Sequence, residues 1–147
     1  IRDSTIVVNG IPWESGDELV TCSLEHPSVM IPSLMVQKTH NVKVNIVNLD
    51  PSDTEEVILS KMASAINGKT RLVFLSHIQY SCGLRLPVEK ICDIAHESNA
   101  YVLLDGAQSA GQINLDMNSI GCDFYSIPGQ KWLLGQRVQA RVLLAKD

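Results

Sequence analysis

Residues 71–108 read RLVFLSHIQYSCGLRLPVEKICDIAHESNAYVLLDGAQ, and this stretch decides the architecture. Arg71 to Ser76 (RLVFLS) and Ala100 to Leu104 (AYVLL) are short apolar runs of strand length, the pattern of strands buried on both faces. Between them Pro87 opens a helix whose Val88, Ile91, Ile94 and Ala95 form one apolar stripe that ends near Ser98-Asn99. A strand, a helix and a strand joined by connections of this length predict a parallel crossover rather than a hairpin.

Upstream the alternation continues. Val42 to Leu49 (VKVNIVNL) sets Val42, Val44 and Ile46 between polar neighbours at period two, a strand pattern that Pro51-Ser52 stops. Ser52 with Glu55 makes a capping box, and Val57, Ile58, Met62, Ala65 and Ile66 recur at helical spacing until Asn67-Gly68. Earlier, Ile6 to Asn9 reads as the tail of a helix closed by Gly10, and a turn runs from Gly10 to Gly16. Glu18 to Ser23 (ELVTCS) is a short strand, and Pro27 suits the first turn of a helix reaching about Thr39, with Pro32 as a candidate kink. Downstream, Asp123 to Ser126 reads as a strand, Gly129 to Gly135 as a loop and Ala140 to Lys146 (ARVLLAK) as a closing strand. The prediction is one α/β domain, a mostly parallel sheet with helices on both faces and no repeat, linker or internal boundary.

The 147 residues include 12 Lys+Arg and 16 Asp+Glu for a net charge of -4, with 45% hydrophobic residues. That apolar content builds a core and excludes a disordered chain. The cations are scattered singly or in pairs, which argues against a nucleic-acid partner. Cys22, Cys82, Cys92 and Cys122 form no C-x-x-C pair, so reduced thiols are expected and a structural metal site is not. Apolar runs such as Val102-Leu103-Leu104 are far shorter than the roughly 20 residues of a membrane span, and a cytoplasmic protein is expected. The chain starts with Ile inside what reads as a helix, so a fragment is expected.

In open α/β sheets ligands gather beyond the carboxyl ends of the strands. That rule selects Glu25-His26, Ser76-His77 with the loop to Gly83, Asp105 with Gln108, and Gly129-Gln130-Lys131-Trp132. Each has a plain structural reading: His26 as a helix-entry residue, Asp105-Gly106 as a turn or cap, Lys131 as a surface cation with its stem on Trp132. Ser76-His77 invites a hydrolase reading, but Gln108-Ser109-Ala110-Gly111 lacks the first glycine of a nucleophile elbow. No G-x-G-x-x-G follows a strand, so a dinucleotide site is not expected.

Taken together, Asp105-Gly106-Ala107-Gln108, then Gly121-Cys122-Asp123-Phe124, then Gly129-Gln130-Lys131-Trp132-Leu133-Leu134-Gly135 resembles the class V aminotransferase family of pyridoxal-phosphate enzymes, which includes the cysteine desulfurases. Gly16-Asp17-Glu18, Glu25-His26-Pro27-Ser28 and Ser76-His77 through Gly83 fall in the same family order. The resemblance implies the large-domain core of a fold type I pyridoxal-phosphate enzyme. It makes Lys131 the Schiff-base lysine, Asp105 the partner of the pyridine nitrogen and Gln108 the partner of the phenolic oxygen. His26 matches the histidine that stacks on the ring, and Gln130 stands where a phosphate contact is expected.

An amino-acid substrate and a homodimer are implied as well. Pro128 and Gln130 replace the Ser/Thr and His of many members, and Gly135-Gln136-Arg137-Val138-Gln139-Ala140 replaces a glycine-rich run. The family's Thr-bearing phosphate turn and its small domain are not read in residues 1–147, so a partial cofactor-binding domain is expected. Cys82, before Gly83, is the one thiol worth testing. The alternative expectation is a non-catalytic or incomplete domain that keeps the fold as an interaction module.

Overall fold

A computed structural model describes the backbone of residues 2–136 and 140–144 and the side-chain environments of residues 4–136. The order is α1 (Arg2–Gly10), β1 (Glu18–Cys22), α2 (Pro27–His40), β2 (Lys43–Val47), α3 (Glu55–Ala65), β3 (Thr70–Ser76), α4 (Val88–Glu97), β4 (Tyr101–Asp105), α5 (Met117–Ile120), β5 (Phe124–Pro128) and β6 (Ala140–Leu144). One sheet of order β2-β1-β3-β4-β5-β6 joins them. Its pairings are parallel up to β5, and β6 runs antiparallel to β5. The register aligns Ser76 with Asp105 and Asp105 with Ser126, so one row of polar residues crosses the carboxyl ends of β3 and β4 and the middle of β5.

The strands are apolar at consecutive positions because both faces are covered. Val20, Val73, Leu75, Val102 and Leu104 pack with Ile58 and Met62 of α3 and Ile91 of α4. Leu19, Leu72, Phe74 and Leu103 point the other way, onto Val7 and Val8 of α1 and Val29 and Val36 of α2. Each such side chain contributes about 1.5–3 kcal/mol when fully buried, so the two clusters hold the strand ends in place.

Two local expectations differ from the structure, and one short element was not expected. Asp50 Oδ1 accepts the Ser52 amide N–H at 2.9 Å and its hydroxyl at 2.6 Å, which occupies Ser52 in the turn. Thr54 therefore caps α3, its Oγ1 accepting the Val57 N–H at 3.4 Å. Ile46 is exposed although it follows the period-two pattern, because β2 is an edge strand, while Val47 on the opposite face is buried. The short helix α5, capped by Asp116 Oδ1 and closed by Gly121 at φ 70°, carries too few apolar residues to show periodicity. Pro32 lies inside α2 on its buried side, and the helix continues to His40. The last two residues of the expected Ala140–Lys146 strand lie outside the described residues. Among the described residues no helix is long and apolar enough to cross a membrane.

Candidate active site

Four segments converge at the carboxyl edge: residues 24–28 after β1, 77–83 after β3, 105–111 after β4 and 129–135 after β5. Two buried networks fix them. In the first, the Glu25 carboxylate accepts the Ser76 amide N–H at 2.8 Å, the Ser76 hydroxyl, the Gln79 Nε2–H at 2.9 Å and the Cys22 thiol at 3.3 Å. It joins the end of β1 to the end of β3. Burial pushes the Glu25 carboxyl up from its ordinary value, against the pull of the Ser76 and Gln79 donors. In the second network the buried Tyr125 hydroxyl lies 2.8 Å from His77 Nδ1 and 2.6 Å from Ser109 Oγ. Burial, helped by the charge of Arg85, lowers the His77 pKa to about 4, and burial raises that of Tyr125 to about 12.

These networks dispose of the hydrolase reading. Ser76 donates to Glu25, and His77 is fully buried against Tyr125, so the two do not form a nucleophile-base pair. Cys22, Cys92 and Cys122 are buried free thiols, and burial pushes the pKa of each well up; Cys82 is free and exposed. Gln79, also buried, gives its amide N–H to Glu25, and among the described residues its Oε1 has no partner.

Asp105 is 6% exposed at the last rung of β4. Its Oδ1 accepts the Ala107 N–H at 2.9 Å and its Oδ2 accepts the Ser28 hydroxyl at 3.1 Å. Among the described residues no cation pairs with it, which leaves a buried carboxylate with spare lone pairs. His26 is the N-cap of α2, its Nδ1 accepting the Ser28 N–H at 3.1 Å, and Tyr80 stands edge-on to its ring at 4.7 Å between centroids. The plain reading of His26 as a helix-entry residue therefore holds alongside its place in the cleft.

Gln108 lies three residues past Asp105, and its Oε1 accepts the Trp132 indole N–H at 2.9 Å. The indole only donates, so the Gln108 amide turns its N–H2 end away from Trp132. The loop carrying Lys131 is pinched by Gly135 N–H donating to Gly129 O at 2.7 Å and by Leu134 N–H donating to Lys131 O at 3.0 Å. Gly111, at φ 87°, lets this loop press against the turn after β4, since a Cβ there would lie 2.9 Å from the Trp132 carbonyl oxygen. Lys131 and Gln130 are exposed, and among the described residues the Lys131 ammonium has no hydrogen-bond or ion-pair partner.

The structure thus links His26 to Asp105 through Ser28, and Gln108 to the Lys131 loop through Trp132. Among the described residues the Gln130 side chain has no hydrogen-bond partner. Sequence reasoning passed over Tyr80 and the roles of Ser28 and Trp132. With Gln108, Gln112, Ile113 and Gly83, Tyr80 and Trp132 line a cavity of about 310 Å³. Ser28 stood in the Glu25-His26-Pro27-Ser28 run and Trp132 beside Lys131, while Tyr80 carried no signal of its own.

The model of the family Aminotransferase class-V matches residues 3–137. A probable cysteine desulfurase of Methanothermobacter thermautotrophicus is 35% identical over 130 residues, which are 88% of this chain and 32% of that protein. The apo structure of the cysteine desulfurase of Thermococcus onnurineus superposes with a TM-score of 0.89 at 24% identity, covering 97% of this chain and 36% of that one. A mutant of the C-DES lyase with glycine covalently linked to its PLP cofactor superposes with a TM-score of 0.86 at 27% identity, covering 96% of this chain and 38% of that one. The chain spans about a third of the length of the relatives it matches.

Proposed function

This chain belongs to the class V aminotransferase family, with the sheet of a fold type I enzyme, and from that premise we propose that it binds pyridoxal phosphate and transforms an amino-acid substrate through Lys131. The observation that carries the reading is Asp105, a buried carboxylate without a cation at the end of β4. Such a group asks for a positive partner. The donor set around it fits the cofactor: a carboxylate, a turned-out amide at Gln108, an imidazole at His26 and a free amine at Lys131. When bound, pyridoxal phosphate supplies an aldehyde that captures amines and a protonated ring that draws electrons from the substrate Cα.

The chain's own residues divide the work. Asp105 accepts the ring N–H and keeps that nitrogen protonated by a charge-assisted hydrogen bond. Gln108 donates an N–H to the phenolic oxygen, an acceptor, which its indole-fixed orientation suits. His26 covers one ring face, braced by Tyr80 and its helix cap. Lys131 would hold the aldehyde, and its amine would move a proton at the substrate Cα. Gln130 is the expected phosphate donor in this loop, where Pro128 has no N–H to give. Residues 1–147 form part of the cofactor-binding large domain, and the protein works as a homodimer in the cytoplasm, the latter suited to four free thiols.

Borohydride reduction of the full-length protein with pyridoxal phosphate, followed by peptide mapping, tests this. Lys131 should carry the label, and Lys131→Ala should lose both the label and the cofactor's visible band. Label on Lys69 or Lys90 in its place refutes the assignment.

A further inference from the structure

We infer that Ser28 is a positioning residue that holds the His26 ring with its backbone N–H and the Asp105 carboxylate with its buried hydroxyl, so that the two are held as one unit. The contacts stand on the protein alone, while their effect on the cofactor rests on the reading above. Ser28 is 8% exposed and is the second residue of α2. Its Oγ lies 2.9 Å from His26 Nδ1 and donates to Asp105 Oδ2 at 3.1 Å, across 77 residues of chain. The Ser28 backbone N–H donates to the same Nδ1 at 3.1 Å, so the neutral ring carries its proton on Nε2. Ala107 N–H holds the other Asp105 oxygen at 2.9 Å. One neutral donor on each oxygen stops the carboxylate from turning and leaves lone pairs for a ligand.

The position serves this purpose better than helix capping. His26 already caps α2, and alanine is a good helix former, so the hydroxyl at 28 is not needed to make the helix. What it adds is a polar contact between the start of α2 and the end of β4. The hydroxyl has one proton, and while Asp105 takes it the His26 Nδ1 meets only the hydroxyl oxygen at 2.9 Å, so the acceptor at position 105 decides whether Nδ1 gains a second donor.

A double-mutant cycle in the full-length protein without cofactor tests the link by the ¹⁵N resonances of the His26 ring. Asp105→Asn should shift the His26 Nδ1 resonance in the wild-type background and leave it in place in a Ser28→Ala background. Ser28→Ala should fold as the wild type does and bind pyridoxal phosphate about tenfold more weakly, the scale of one hydrogen bond to a charged group. Ser28→Thr, which keeps the hydroxyl, should restore binding. If Ser28→Ala does not fold, Ser28→Cys, a weaker donor, replaces it in the cycle. An Asp105→Asn shift of equal size with and without the hydroxyl overturns the inference, and so does unchanged cofactor affinity in Ser28→Ala. If the wild type takes up no pyridoxal phosphate, the functional reading fails and the resonance cycle alone decides the role of Ser28.

Discussion

Gly106→Ala puts a methyl group where the structure has no room. The added Cβ would lie 2.1 Å from Tyr125 Cε1, 2.9 Å from its Cζ and 3.0 Å from the Ser126 carbonyl oxygen. The ring is the side that has to give, because the Ser126 oxygen accepts the Gly106 N–H at 2.8 Å and belongs to β5. Tyr125 is fully buried, however, and its hydroxyl is held between His77 and Ser109. Overpacking a close-packed core costs about 1–3 kcal/mol, and a displaced hydroxyl that strands a buried partner adds about 1–3 kcal/mol. The expected loss is therefore about 2–6 kcal/mol, read as a fall in the urea midpoint with unchanged slope. Gly10→Ala is the control, since that helical position has open space and gains helix propensity. A Gly106→Ala protein within about 0.5 kcal/mol of the wild type, on the scale of ordinary surface substitutions, refutes the argument that Tyr125 is pinned.

Two further predictions concern pH. The folded His77 pKa of about 4 lies below its ordinary 6.5, so the folded state binds fewer protons across that window; its contribution is complete above 6.5 and is lost as pH falls toward 4. Between pH 7.5 and 5 the linkage amounts to about 2 kcal/mol, and the His77 ring resonances should still report a neutral ring at pH 5; a ring that titrates near 6.5 refutes it. Glu25 has the opposite sign: its raised folded pKa makes its contribution full below the ordinary 4.5, with loss as pH rises through the folded value. Glu25→Gln cannot ionise, so its stability relative to the wild type should climb from pH 4.5 upward in urea melts, and a constant difference would count against the buried carboxyl.

The parallel sheet covered on both faces was legible because it rests on a repeated signal. Consecutive apolar residues such as Leu72-Val73-Phe74-Leu75 can be satisfied only by cover on both faces, and the structure supplies α1 and α2 on one face, α3 and α4 on the other. The Asp105 turn and the Lys131 loop announced themselves as strings of glycine, acid, amide and lysine beyond strands. Where two polar residues compete for one local task, the sequence was ambiguous. Ser52 and Thr54 both suit the start of α3, and the decision fell to Asp50, which engages Ser52 first.

What stayed hidden is of a different kind. Ser28 touches Asp105 across 77 residues, Trp132 touches Gln108 across 24 and Tyr125 touches His77 across 48, and none of these spacings has a period. They exist because parallel crossovers return every strand in the same direction, so the residues that follow β1, β3, β4 and β5 must meet at one edge. The topology therefore delivers the polar groups to a common place without choosing their pairs. The pairing is chosen by close approach, at Gly106 against Tyr125 and at Gly111 against Trp132, where the absence of a side chain sets which loops can touch. For that reason a glycine at either position affects the site as directly as a residue that carries a functional group, and Gly106→Ala should disturb the Asp105 turn even though it removes no hydrogen-bonding atom.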